Sequence, residues 1–174
     1  MANTAQHTKM TPMSTKSVDE IITGIMIREG GSTATNDPSD NGGRTQFGIS
    51  ERANPQAWAD GKVSEAEARD IYRKKYLQPF AGLEDHVGFE QFVDFGVVSG
   101  PTLVAQKLQS LVGVDVDGQI GPQTLAAIAA VEDRRLNNLM VAERVRMIGR
   151  IVKRDPRQLK WINGWLERAL GFLR

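Results

Sequence analysis

The sequence predicts a mainly α-helical fold with one small β element. Three observations carry this expectation. Apolar residues recur in steps of three and four through most of the chain. Two Ser-x-x-Glu capping boxes open helical stretches. The one run with strand character, Thr45 to Ile49, is too short to make a sheet of its own. The 174 residues suffice for one good core, or one core with a smaller helical lobe.

Taken in order, residues 1–16 are polar, rich in Thr and without an apolar core, so they read as a disordered tail and not as a secretory signal. Residues 17–98 form the first region. Ser17-Val18-Asp19-Glu20 caps a helix whose apolar series Val18, Ile22, Ile25 extends by one step to Glu29. Gly30-Gly31 stops that helix. Turn-forming residues dominate 32–50. A second box, Ser64-Glu65-Ala66-Glu67, opens a helix through Ala68, Ile71, Tyr72 and Tyr76 that breaks near Pro79. Val87 to Val98, with Phe89, Phe92, Val93 and Phe95, predicts a core helix.

Residues 99–174 predict a helical C-terminal lobe. Ser99-Gly100-Pro101 restarts the chain before Leu103, Val104, Leu108, Leu111 and Val112. A turn at 115–121 precedes a small-residue helix with Pro122 at its first position. Helical spacing then runs from Leu136 to Val152. After Pro156 a last helix is expected from Leu159, Ile162, Leu166, Ala169 and Leu173, with Trp161, Trp165 and Phe172 as a second stripe.

Composition excludes several classes. There is no Cys and there are two His, so thiol chemistry, disulfides and a His-Glu-x-x-His zinc helix are ruled out. No Gly-x-Ser-x-Gly elbow or phosphate loop occurs, and no apolar run approaches the ~18 residues of a membrane span. Asp115, Asp117 and Gly118 resemble a fragment of a calcium loop without its other oxygen ligands; neither metal nor cofactor is expected. The net charge of +1 hides an asymmetry: Arg134 to Arg174 holds eleven Lys or Arg against three acids. That basic end suggests an anionic partner, such as wall polymer or lipid, or else a solvated helix face. No nucleic-acid motif accompanies it.

Glu29 is the leading candidate for chemistry. On an apolar helix face and at a helix C-terminus, a carboxyl meets two effects that disfavour its anion, desolvation and the helix dipole. Such an environment suits a glycosidase general acid. Asp37 and Asp40 follow in the loop that Gly30-Gly31 begins, where both also fit ordinary turn duty. Gly42 and Gly43 let the backbone approach a ligand closely, and Thr45 is placed to position a water or a sugar hydroxyl.

Arg28-Glu29-Gly30-Gly31 followed by Asn36 to Ser50 closely resembles the signature of glycoside hydrolase family 108, whose members are lysozyme-like muramidases, many of them phage endolysins. Ile71-Tyr72-Arg73-Lys74-Lys75-Tyr76, Asp94 to Pro101, Leu108-Gln109 through Leu125 and Gly164-Trp165-Leu166-Glu167-Arg168 resemble later parts of the same pattern. The resemblance implies a lysozyme-like α+β fold, with the β element beside the catalytic helix and a C-terminal lobe that resembles a peptidoglycan-binding domain. It implies Glu29 as the catalytic acid, with Asp40 and Thr45 completing the site, and Asp37, Gly43, Gln46, Tyr72 and Tyr76 along the glycan. Val98 stands where the pattern has Asn. The implied partner is the peptidoglycan strand and the implied state a monomer. Without a signal, such an enzyme is expected to accumulate in the bacterial host cytoplasm and reach the wall once the inner membrane is opened. A lytic transglycosylase and a non-catalytic wall-binding protein are the alternatives.

Overall fold

The computed structural model describes residues 16–36 and 43–174. Asp37, Asp40 and all but the last residue of the expected tail lie outside them. The fold is mostly helical, with a two-stranded antiparallel sheet.

Helix α1, Val18–Arg28, starts at the expected box: Ser17 Oγ accepts from the Glu20 amide, and Glu20 Oε2 accepts from the Ser17 amide. Ile21, Ile22, Ile25 and Met26 make its buried face. Its end is a Schellman motif. The Gly31 N–H donates to Met26 O at 2.9 Å and the Gly30 N–H to Ile27 O at 3.3 Å, with Gly30 at φ +102°. Glu29 is therefore the C-cap residue, one step beyond the helix.

Strands β1, Thr45–Gln46, and β2, Ile49–Ser50, pair in the register Thr45 with Ser50 and Gln46 with Ile49. Their two-residue turn is Phe47-Gly48, with φ +52° and +73°. Positive φ at both positions matches the twist of a tight hairpin. For Phe47 the left-handed conformation costs about 1–2 kcal/mol. Burial of its ring, 8% exposed, contributes about 1.5–3 kcal/mol, so packing outweighs the strain. The Phe47 N–H donates to Gly31 O at 2.9 Å, which ties the hairpin to the end of α1.

Helix α2, Glu65–Tyr72, begins at the second expected box and passes through a π turn, Arg73–Leu77, into the Pro79 region. Helix α3, Phe89–Ser99, is central: every residue from Phe89 to Gly96 is buried. Gly100 and Pro101 turn the chain into α4, Pro101–Val112, which packs on α3. Helix α5, Pro122–Ala129, and the 22-residue α6, Asp133–Arg154, follow. One hydrophobic cluster includes Ile25, Tyr72, Phe92, Leu108, Ile128, Leu136 and Met140, so it runs across the junction at residues 98 and 99.

The 115–124 segment is held by Gln109, 1% exposed. Its amide donates to Asp117 Oδ1, Gln119 O and Thr124 Oγ1, and its oxygen accepts from the Gly118 N–H. Asp117 thus serves a turn. Among the described residues no group of three His, Asp or Glu is placed to hold a metal ion.

The C-terminus departs from the expected single helix. Pro156–Trp161 is a 3₁₀ segment, and α7 spans only Ile162–Leu170. Leu159, Trp161 and Leu173 are exposed rather than core, while Ala169 and Phe172 are buried. Pro156 opens the tighter 3₁₀ winding, and the change of pitch puts Leu159 and Trp161 out of step with the half-buried Ile162, Trp165 and Leu166 of α7.

Candidate active site

Because the Schellman turn ends α1 at Glu29, this carboxylate projects from the helix end between two walls. One wall is the hairpin. A Cβ on Gly48 would lie 2.7 Å from Glu29 Cβ and 2.7 Å from Tyr72 Oη. Only glycine fits there, both for its positive φ and for that close approach. Tyr72 is 1% exposed, and its hydroxyl donates to Phe47 O at 2.9 Å. Burial, then the nearby Glu29 charge, pushes the Tyr72 phenol well above its ordinary range, so it stays a donor.

The other wall is a charge cluster. Arg168 Nη2 donates to Glu29 Oε1 at 2.8 Å, and the same guanidinium reaches Asp94 through Nε and Nη2 at 3.0–3.2 Å. Asp94 has no exposed side-chain surface and also meets Arg28 at 3.0 Å and Arg144 at 2.8 Å. Burial alone would raise the Asp94 pKa; the Arg168 hydrogen bond and the charges of Arg144, Arg168 and Arg28 outweigh it and hold the pKa below the usual range. Burial likewise opposes the Arg168 charge, but Asp94 and then Glu29 hold its pKa above the ordinary value. Glu90 adds a third carboxylate, bonded to Lys16 at 2.8 Å. Arg28, Arg144 and Arg168 thus surround Asp94, and Arg28 and Arg168 also approach Glu90 and Glu29, so each carboxylate has a cation beside it.

The structure corrects the sequence picture of Glu29 in one respect. Its side chain keeps 27% exposure and carries a guanidinium on one oxygen, whereas the helical pattern alone placed it on the buried stripe. Among the described residues its Oε2 accepts no hydrogen bond.

The other candidates divide. Thr45 is half-buried in β1, its backbone bonded both ways to Thr35 at 2.8 Å. Gly43, at φ +72°, stands at the edge of the described segment beside Glu51. The amide expected to meet the glycan at Gln46 is instead committed: Nε2 donates to Ser32 O at 2.8 Å and Oε1 accepts from the Val63 N–H at 3.0 Å. Tyr72, expected along the glycan, is too buried to touch one and braces the hairpin instead. Tyr76, half-buried, packs against it with the rings tilted by 37° and their centroids 5.6 Å apart.

Beyond Arg168 lies a cavity of about 320 Å³ lined by Val98, Ser99, Met147, Ile151 and Trp165, among others. Val98, 52% exposed, puts an apolar side chain on its edge where the motif pattern has an amide.

The family model for Glycosyl hydrolase 108 matches residues 22–100, and that for the Predicted Peptidoglycan domain matches residues 103–170. The solved structure of Brucella abortus SagA is similar at 32% identity, covering 90% of this chain and 95% of that one, with a TM-score of 0.61. The chain belongs to glycosyl hydrolase family 108. No curated protein matches it. The two matches make this family 108 protein a peptidoglycan hydrolase, a glycosidase whose partner is the wall polymer. In the family 108 hydrolase the matched parts meet between α3 and α4, yet Arg168 crosses that junction to reach both Asp94 and Glu29.

The cluster around Asp94 is what sequence reasoning missed. A usable signal existed: an acid in the middle of the apolar run Phe92-Val93-Asp94-Phe95 must find cations when buried. Which cations it finds is not a local property.

Proposed function

We propose that this hydrolase is an N-acetylmuramidase that cleaves the β-1,4 bond between N-acetylmuramic acid and N-acetylglucosamine, with Glu29 as the general acid. The observation that carries this reading is the placement of Glu29. It is a half-buried carboxylate at a helix end, packed by Gly48 on one side and held through one oxygen by Arg168, with no hydrogen bond to the other oxygen among the described residues. Glu29 gives its proton to the glycosidic oxygen as the bond to the departing sugar breaks. Positive charge builds on the remaining ring; Asp40 stabilises it or activates the water, with Thr45 orienting that water, roles that rest on the family resemblance.

The biological setting that fits is a phage endolysin made in the host cytoplasm and released onto the wall when the inner membrane opens. Lys153, Arg154 and Lys160, with exposed Trp161 and Leu159, supply contact with the anionic wall.

The test is digestion of purified peptidoglycan by wild type and E29Q, with mass spectrometry of the product ends. Reducing muramic acid ends from wild type and none from a folded E29Q are expected. Anhydro ends would instead make the protein a lytic transglycosylase. Wall binding with no new ends from wild type would make it a binding protein, and an active E29Q would remove Glu29 from the mechanism.

A further inference from the structure

We propose that Arg168 is a positioning residue for Glu29, so that the region matching the peptidoglycan domain completes the active site as well as engaging the wall. The inference rests on Glu29 being the general acid. Three features carry it.

First, the contact is specific in geometry. A guanidinium is a planar fork, and here the fork is oriented by a carboxylate that cannot move. Asp94 is fully buried in the central helix and takes Nε and Nη2 of Arg168 at 3.0–3.2 Å. What remains of Nη2 points at Glu29 Oε1, 2.8 Å away. Second, among the described residues the Glu29 side chain is held through one oxygen, by Arg168. A side chain free to rotate about its χ angles would present its acid in many directions, whereas anchoring Oε1 aims Oε2 at one place. Third, the mount is rigid. Arg168 lies in the last turn of α7, next to the buried Ala169, and the following segment is tied to α6 by Asn137 Nδ2 donating to Phe172 O at 2.8 Å. Arg168 is also 23% exposed on its side chain and lines the cavity with Val98 and Trp165, so it stands at the edge of open space and not deep in the core.

Lysine cannot replace it. A single ammonium is a point donor and lacks the planar fork that spans two carboxylates. R168K keeps the charge and most of the packing while losing the bridge. A misplacement of the acid by about 1 Å costs on the order of 100-fold in rate. R168K and R168A are therefore expected to lose about 100-fold in kcat on peptidoglycan, with KM within roughly twofold of wild type, since an orienting contact acts on the chemical step. Millimolar guanidinium ion should restore part of the lost kcat to R168A by filling the vacated site, at a concentration that leaves the Tm of the variant unchanged, whereas a merely structural role would restore kcat and Tm together.

Kinetics, circular dichroism and E29Q are measured side by side. R168K with wild-type kcat overturns the proposal, as does a raised KM with kcat unchanged, which would make Arg168 a substrate contact. So does a folded R168A that guanidinium does not rescue; if R168A does not fold, R168K decides alone. Loss of activity in E29Q with full activity in R168K would sink this inference and leave Glu29 standing. An active E29Q would instead sink the reading it rests on.

Discussion

Replacing Gly48 by alanine tests the packing around Glu29 most directly. The new Cβ would sit 2.7 Å from Glu29 Cβ, 2.7 Å from Tyr72 Oη and 3.3 Å from Glu29 Cγ. Carbon atoms rest at about 3.5–4.0 Å, so something must move by roughly 0.8–1.3 Å. Neither neighbour gives way easily. Glu29 Cβ is fixed to the backbone of the Schellman turn, and Tyr72 is fully packed with its hydroxyl bonded to Phe47 O. Two costs add: about 1–2 kcal/mol for a side chain in the left-handed region and about 1–3 kcal/mol for overpacking. A total near 3 kcal/mol lowers Tm by roughly 6–12 °C in a protein of this size. The control is G31A. Gly31 has φ +63°, but a Cβ there meets nothing within 4 Å among the described residues. That variant bears the conformational cost alone, about 1–2 kcal/mol, or roughly 2–8 °C. Because the clash falls on Glu29 itself, G48A should also lose on the order of 100-fold in kcat, whereas G31A tests the turn without touching the carboxylate. Thermal unfolding by circular dichroism and peptidoglycan turnover are the assays. If G48A melts with G31A and keeps wild-type kcat, the contact between the hairpin and Glu29 is not as described.

Two further outcomes follow from the charges. The folded-state pKa of Asp94 lies below the usual range, so its contribution to stability is complete above the unfolded value of about 3.9 and is lost as pH falls through the folded value. D94N should be less stable than wild type by about 3–5 kcal/mol near neutral pH, since three arginines lose their shared partner, and should lose less further stability in acid; parallel denaturation curves down through pH 3 would refute this. For the basic end, K153Q/R154Q/K160Q should weaken retention on anionic wall or lipid by up to about 100-fold at low salt, at about 1 kcal/mol per charge, with little difference at high salt. Unchanged retention would assign those residues to a solvated face only.

Local chemistry was legible in the chain. Each capping box is a bond between neighbours three residues apart, and Gly30-Gly31 ends α1 because glycine alone enters the left-handed region freely. Glu29 was therefore marked as the carboxylate at a helix end beside a glycine turn. The sequence also carried the small β element, although not the turn at Phe47-Gly48, where a bulky residue takes a conformation that its own preferences oppose. What opposes those preferences is burial against α1 and α2, a tertiary effect.

The same distinction runs through the site. Glu29, its helix and the glycine stop depend on residues close in sequence, whose spacing sets their geometry through the regular rise and turn of the helix. Arg168 lies 139 positions from Glu29, and no periodicity relates them. The family resemblance placed Tyr72 and Gln46 along the glycan, yet the packed fold spends their polar groups on Phe47, Ser32 and Val63. Buried polar groups must find partners, and a folded chain supplies those partners from wherever its elements meet. The sequence by itself determined which carboxylate ends α1 and that the chain folds mainly as helices. Only the tertiary structure decided which cation holds that carboxylate, because that depends on how α7 packs on α6 and so brings Arg168 to Asp94 on α3 and to Glu29 at the end of α1.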